Sequence, residues 1–345
     1  MIHITADRLR DIVSQVFVAA GVPSESAREA ADSLVESNLV GHDSHGVLRV
    51  GAYVHMVEQG RMDPHGKVTV VHESAGTALL DGGRVFGQLA ARQAMALAIA
   101  KAQERDIAMV AVRGCGHTGR MGEFVVQAAQ AGCIGMVLGS GSKPGGTTAP
   151  YLGISPVFNT NPIAWGFPAT KYPPVFIDFA TSACAFGKIE AALDKGVPIP
   201  EGWLLDRDGN PTTDPKDYRD GGVLLPFGDH KGYGLCFLVE ALCGGLTGSS
   251  CAPLPDYAAG AWSLVMSAVR IEAFQPLDRF CHMVDGLIEA TKAARKAPGV
   301  KEILVPGELE WRTRAQRLEQ GLDLPEATWE RIVEAGRRHG LRISL

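Results

Sequence analysis

Apolar residues recur at helical spacing from the start of the chain. Leu9, Ile12, Val13, Val16, Phe17 and Ala20 fall on one stripe, with Thr5 placed as N-cap and Gly21 as the stop. A second helix is expected from about Ser26 to Leu39. GHDSHG, residues 41–46, reads as a turn, and a third helix then runs to Gln59, closed by Gly60. Short strands are expected at 68–71 and 78–81, followed by a long Ala-rich helix over 88–104. From there the pattern is strand (107–112), glycine turn, helix (119–131), strand (134–138), with a further strand at 175–179. A helix over 231–242, a strand over 264–271 and helices over 277–295 and 325–339 complete the pattern. Strands alternating with helices predict α/β layers. Residues 139–148 (GSGSKPGGTT) form the most flexible-looking loop, and the Pro-rich stretch 196–226 reads as a surface flap.

Composition narrows the class. The 345 residues are 46% hydrophobic and 21% charged, ordinary for a folded protein, and the length suggests about two domains. No apolar run is long enough for a membrane span, and the N-terminal residues carry no export signal. A net charge of -5 favours neither nucleic acid nor an anionic membrane as partner. Seven scattered cysteines with no C-x-x-C predict reduced thiols and a cytoplasmic protein. Glycine is the outlier, at 41 residues, which implies many turns or close approaches to a ligand.

The sharpest chemical constellation is DSHGVLR, residues 43–49. Ser44 is placed to cap the third helix, and His45 and Arg49 are four apart, so on a helix they share one face. An imidazole beside a guanidinium suits a small carboxylate: the arginine clamps, the histidine moves a proton. The alternative is a cap followed by a solvated helix face. His42 and His45 form an H-x-x-H that could hold a metal, with no third ligand at a sensible spacing. GCGHTG, residues 114–119, matches G-x-G-x-x-G between an expected strand and helix, yet no acidic residue follows at the next strand end. It reads as a glycine turn near a ligand, with His117 as a second acid–base candidate or a plain turn histidine. Asp178 ends a strand, where both ligand contacts and helix caps occur. Lys231-Gly232-Tyr233-Gly234 opens a helix and could hold a phosphate or be an ordinary helix start. Ser140 to Lys143 gives an S-x-x-K without its companion motifs.

Seven segments in order carry a resemblance: DSHGVLR (43–49), VRGCGHTGRMGEF (112–124), NTNPIAWGFPA (159–169), FIDFATS (176–182), GWLLDRDGNPTTDP (202–215), DHKGYGL (229–235) and VPGELEWR (305–312). Together they resemble the malate/L-lactate dehydrogenase family, the NAD(P)-dependent group unrelated to Rossmann-type lactate dehydrogenases. That group also holds ureidoglycolate, sulfolactate and diketogulonate enzymes and reductases of piperideine- and pyrroline-2-carboxylate. The resemblance implies an α/β, non-Rossmann mixed-sheet fold with a helical N-terminal segment, acting as a homodimer. It divides the chain into a substrate and catalytic part (1–115 with 300–345) and a cofactor part (116–299). It implies hydride transfer between NAD or NADP and C2 of a small 2-oxo, 2-hydroxy or 2-imino acid, with no metal.

The resemblance also assigns residues. A Ser44–His45–Asp178 relay belongs to the imine-reducing members, and Arg49 clamps the substrate carboxylate. His117 is the acid–base group of the hydroxy-acid members. Cofactor contacts fall on His117, Gly119, Gly122, Asn161, Pro168, His230, Lys231, Gly307, Glu308 and Arg312. One departure stands out: many members read N-S-x-H at the catalytic loop, and this chain reads Gly114-Cys115-Gly116-His117. A hydroxyl and an amide are gone, which bears on the choice of substrate. Two readings from other classes remain: a metal-dependent hydrolase or lyase using His42, His45 and His117, and a catalytically silent binding protein.

Overall fold

The structure is a computed structural model that describes residues 1–141, 143–254 and 261–344. Position 142, inside the expected 139–148 loop, therefore lies outside the described residues. In chain order the elements are β1 (Ile2–Ile4), α1 (Ala6–Ala19), α2 (Ser24–Leu39), α3 (Val50–Glu58), β2 (Thr69–Glu73), β3 (Thr77–Asp81), α4 (Gly87–Arg105), β4 (Ile107–Cys115), α5 (Gly122–Gln130) and β5 (Cys133–Ser140). There follow β6 (Ile163–Phe167), β7 (Val175–Phe179), α6 (Phe186–Lys195), β8 (Leu204–Leu205), β9 (Pro211–Thr212), β10 (Val223–Leu224), α7 (His230–Glu240), β11 (Trp262–Arg270), α8 (Leu277–Ala293), α9 (Glu308–Gln320), β12 (Leu322–Leu324) and α10 (Glu326–Arg338).

Seven of the strands form one mixed sheet in the order β2-β3-β4-β11-β5-β6-β7. Only β3 and β4 run parallel, joined by the crossover helix α4; the other pairs are antiparallel. A parallel pair needs such a crossover, which is why the long Ala-rich helix sits between these two strands. The alternation of β4 and β11 sorts the sheet into two faces. Ala108, Val110, Val112, Leu264, Met266 and Ala268 point into a large core shared with α1, α2, α3, α4 and α5. Ala111, Val265, Leu138 and Ile163 point the other way, onto Val239 and Cys243 of α7 and the π-helical turn Ala241–Leu246 that continues it.

The N-terminal helices match their expected pattern: Thr5 Oγ1 accepts from Arg8 N–H and Leu9, Ile12, Val13, Val16 and Phe17 are buried. The third expected helix differs. Residues 43–45 and 47–49 are separate 3₁₀ turns, and the α-helix starts only at Val50. Extended Gly46, at φ -90° and ψ -151°, breaks the run between them. The stretch 196–226 is more ordered than a flap, because β8, β9 and β10 pair and bury Leu204 and Leu224 against Ile189 of α6. Cys115, Cys133, Cys184, Cys236, Cys243 and Cys281 are buried thiols. Among the described residues no helix is long and apolar enough to cross a membrane.

Candidate active site

The 43–49 segment is shaped by one buried side chain. Asn38, at the end of α2, donates from Nδ2 to Asp43 Oδ1 at 2.6 Å and accepts from Val47 N–H at 2.8 Å. Arg317 of α9 holds Asp43 from outside at 2.8 Å. A Cβ at residue 46 would collide with the Asn38 amide, so only glycine lets the chain pass this close. Ser44 therefore caps no helix. Its Oγ lies 3.0 Å from His45 Nδ1, and its carbonyl accepts from Arg49 Nε at 2.8 Å. This hydrogen bond, not a shared helix face, aims Arg49. Among the described residues no carboxylate lies within ion-pair distance of the Arg49 guanidinium, and Gly187 of α6 lies against both Ser44 and Arg49.

The second imidazole comes from the loop after β4. The His45 and His117 rings stack 5.8 Å apart, only 10° from parallel. His117 is packed edge-on against Trp262, with ring centres 4.9 Å apart. Its Nδ1 lies 2.6 Å from Tyr53 Oη and accepts from Gly119 N–H at 3.2 Å. Gly119 has φ +73°, the conformation that turns its N–H back on the ring. Tyr53 Oη in turn accepts from Gln88 Nε2 at 3.0 Å. Burial first, then the charge of Arg49, pushes His45 down to about 3 and His117 well below the usual histidine range. Burial pushes the Tyr53 phenol up to about 12. At neutral pH both imidazoles are neutral beside the Arg49 cation, which has no carboxylate partner among the described residues.

Asp178, at the end of β7, accepts from Gly122 N–H at 2.7 Å, at the first residue of α5. Burial raises its pKa, and this backbone bond and the charges of Arg120 and His42 oppose that. Among the described residues His45 hydrogen-bonds Ser44 and does not hydrogen-bond Asp178. His42 turns to Glu310 at 3.3 Å, and no group of three metal-ligating side chains converges among the described residues.

Three residues of this region have no role in the sequence reading. Tyr53 and Gln88 sit inside helices and look like core positions there. Arg120 is 5% exposed, and its Nε and Nη1 have no hydrogen-bond partner among the described residues. Its guanidinium lies over the Phe176 ring at 5.6 Å. The available signal was a lone charge inside GCGHTGRMG, just before a helix of small and apolar residues.

The expected cofactor residues are spread over several places. Gly119 and Gly122 lead into α5, with their N–H groups given to His117 and Asp178. Gly307 packs on Phe176, while Glu308 and Arg312 join an ion-pair network with Lys292 and Glu302. Asn161 is buried; its Nδ2 donates to Glu240 Oε2 at 2.8 Å, and its Oδ1 has no hydrogen-bond partner among the described residues. His230 and Lys231 are exposed at the start of α7, across the sheet from α5. Two cavities meet at Gln130 along α5. One of about 440 Å³ is lined by Arg120, Gln127, Trp311 and Arg314, and one of about 690 Å³ by Pro168, Pro174 and Leu277.

A mixed sheet with helices on both faces thus brings together two stacked imidazoles and an arginine with no carboxylate partner among the described residues, groups able to hold a small anion and to move a proton. The family model for malate/L-lactate dehydrogenase matches residues 4–333, and the chain belongs to that family of oxidoreductases. Malate dehydrogenase of Pyrococcus horikoshii is 36% identical over 99% of this chain and 96% of its own. The solved structure titled a putative malate/lactate dehydrogenase from E. coli superimposes with a TM-score of 0.92 at 36% identity, covering 99% of this chain and 96% of that one. A Δ1-pyrroline-2-carboxylate/Δ1-piperideine-2-carboxylate reductase of Pseudomonas syringae pv. tomato is 31% identical over 95% of this chain and 94% of its own.

Proposed function

We propose that this protein transfers a hydride between a nicotinamide cofactor, NAD or NADP, and C2 of a small 2-hydroxy or 2-oxo acid of the malate or lactate kind. The observation that carries this is Arg49. Its Nε is tied to the Ser44 carbonyl at 2.8 Å, its guanidinium has no carboxylate partner among the described residues, and its charge bears on both imidazoles. A substrate carboxylate is the anion this fork suits. When bound, the nicotinamide takes or supplies the hydride.

The protein's part is orientation and the proton. In oxidation His45, neutral as it stands, takes the C2 hydroxyl proton on Nε2, the nitrogen Ser44 leaves free. In reduction the same nitrogen returns it. Substrate bound to Arg49 offsets the cation that depresses His45, so the imidazolium becomes easier to form when needed. Asp178 adds a negative charge to the region, partly balanced by Arg120. The groove along α5 suits the cofactor, because Arg120 is a buried cation whose Nε and Nη1 have no hydrogen-bond partner among the described residues, and a phosphate would satisfy them. His117, Gly119, Gly122, Pro168, Gly307, Glu308 and Arg312 are the proposed contacts on this side of the sheet, whereas Asn161, His230 and Lys231 belong to the α7 side and lie outside this groove; the proposed working form is a homodimer.

A second reading, reduction of a cyclic 2-imino acid, has one observation in its favour. Gly114-Cys115-Gly116 offers no side-chain hydroxyl or amide beside His117, and the Cys115 thiol donates to the Trp262 carbonyl at 3.4 Å. Titration with NADH and NADPH in metal-free buffer, followed by a parallel screen of 2-oxo acids and cyclic imino acids, tests both readings. Binding of one cofactor and turnover of an open-chain 2-oxo acid is the expected result. Failure of both cofactors to change fluorescence or thermal stability would end the dehydrogenase reading.

A further inference from the structure

The two stacked histidines are held by partners of different kinds. Ser44 Oγ, 3.0 Å from His45 Nδ1, is a rotor that can donate or accept. His45 can therefore gain or lose a proton without stranding its neighbour. The partner of His117 cannot follow such a change. Gly119 N–H, at 3.2 Å, can only donate, so His117 Nδ1 must keep its lone pair. Tyr53 Oη approaches the same nitrogen at 2.6 Å, and Gln88 Nε2 donates to that oxygen at 3.0 Å. With Gln88 donating to its oxygen, Tyr53 turns its own proton to His117, whose Nδ1 at 2.6 Å is a far closer acceptor than the His117 carbonyl at 3.4 Å. Tyr53 and Gln88 are 1% and 0% exposed, so no solvent relaxes this chain of donors.

We propose that Tyr53 and Gln88 are positioning residues that fix His117 as the Nε2–H tautomer, so that His117 meets the C2 oxygen of the substrate as a permanent hydrogen-bond donor. Proton exchange is left to His45. The proposal rests on the hydroxy-acid reading for the identity of that oxygen, but the tautomer itself does not. Turning the Gln88 amide would give its unpartnered Oε1 to the Tyr53 hydroxyl and ask His117 Nδ1 to donate. Gly119 N–H would then face another N–H, which rules that arrangement out. A donor that never gives up its proton stabilises negative charge on the C2 oxygen in either direction of reaction.

Histidine-labelled protein examined by ¹⁵N NMR reads the tautomer directly, with the His117 signals assigned from His117→Asn. The expected result is Nδ1 bare and Nε2 protonated, with no titration between about pH 5 and 8. Tyr53→Phe removes the shorter donor. Its kcat should fall roughly 3- to 10-fold, the worth of one hydrogen bond, with cofactor affinity unchanged and the His117 ¹⁵N shifts moving toward a mixture of the two neutral tautomers. Gln88→Met should shift kcat and the tautomer ratio in the same direction by less. A merely structural role would lower stability and leave the His117 tautomer where it was. If Tyr53→Phe does not fold, Gln88→Met and the wild-type tautomer carry the test. A protonated Nδ1 in the wild type, or wild-type kcat and an unmoved His117 tautomer in the folded variants, overturns the proposal. The tautomer is read without cofactor or substrate, so its failure is distinct from absence of NADH and NADPH binding, which would end only the dehydrogenase reading.

Discussion

At the scale of single residues, Arg49 and His45 make opposite demands on each other. The cation proposed to hold a substrate also adds to burial in keeping the imidazole neutral. His45 sits at about 3 in the folded chain, below the ordinary histidine value. The unfolded chain therefore binds more protons between those two values, and stability rises with pH through that window and is lost on acidification. His117 is shifted in the same direction and adds to the effect. The thermal midpoint of the protein without ligand should fall as pH is lowered from about 7 to 5, and His45→Gln should flatten the slope. An unchanged slope would mean that His45 binds its proton equally well in the folded and unfolded chain. Arg49→Lys keeps the charge and loses the fork, so any loss reports geometry. A roughly 10- to 100-fold drop in kcat/KM is expected, mainly through KM, with cofactor affinity unchanged. Equal loss of cofactor binding would move Arg49 to the nucleotide. Ser44, His45, Arg49 and His117 were legible in the sequence because they are polar residues inside glycine-marked turns. Tyr53 and Gln88 were not, because inside a helical apolar pattern a buried tyrosine or glutamine looks the same whether it packs or positions.

At the scale of elements, the 43–49 segment shows where periodicity misleads. His45 and Arg49 are four apart, as on a helix, yet Gly46 is extended and each residue sits in its own 3₁₀ turn. What orders the segment is Asn38, nine residues before Val47, and helical spacing carries no signal for such a bond. Asn38→Ala would leave the Val47 N–H without its acceptor at a site that is 1% exposed. A buried donor stranded in this way costs about 1–3 kcal/mol. The unfolding midpoint should fall accordingly, and KM for the acid substrate should rise while cofactor affinity holds. Loss of cofactor binding in step with substrate binding would show that the turn supports both. Elsewhere β6, α6 and α9 went unread. β6 is interrupted by Gly166, which lies against Val125 of α5, and α9 is polar nearly all round, with no fully buried residue. Strands β7 and β11 were read to within two residues, because their apolar runs are bounded by turn signals.

For the whole molecule, the face of the sheet under α7 is covered unevenly. Ile163 of β6 lies beneath the helix, but Trp165, Ile177 and Phe179 on the same face of β6 and β7 are 41%, 36% and 37% exposed. Phe237, Leu238 and Leu246, on α7 and its π-helical turn, are 57%, 46% and 57% exposed. Apolar side chains gathered like this on one side of a folded chain mark an interaction surface. A second copy is the partner that fits the proposed homodimer, since a two-fold contact presents the same patch from both sides. A stable contact of this kind covers about 800 Å² on each partner. Phe237→Glu places one carboxylate on each side of such a contact, so two charges lose water together and repel. Light scattering at micromolar concentration should give twice the chain mass for the parent protein and the single chain mass for the variant. Circular dichroism should be unchanged, because Phe237 is 57% exposed and meets the Phe158 and Tyr233 rings edge-on at its inner side. A parent protein of single chain mass at that concentration would defeat the dimer. A variant that stays dimeric would place the contact on another face and leave these six side chains for a different partner.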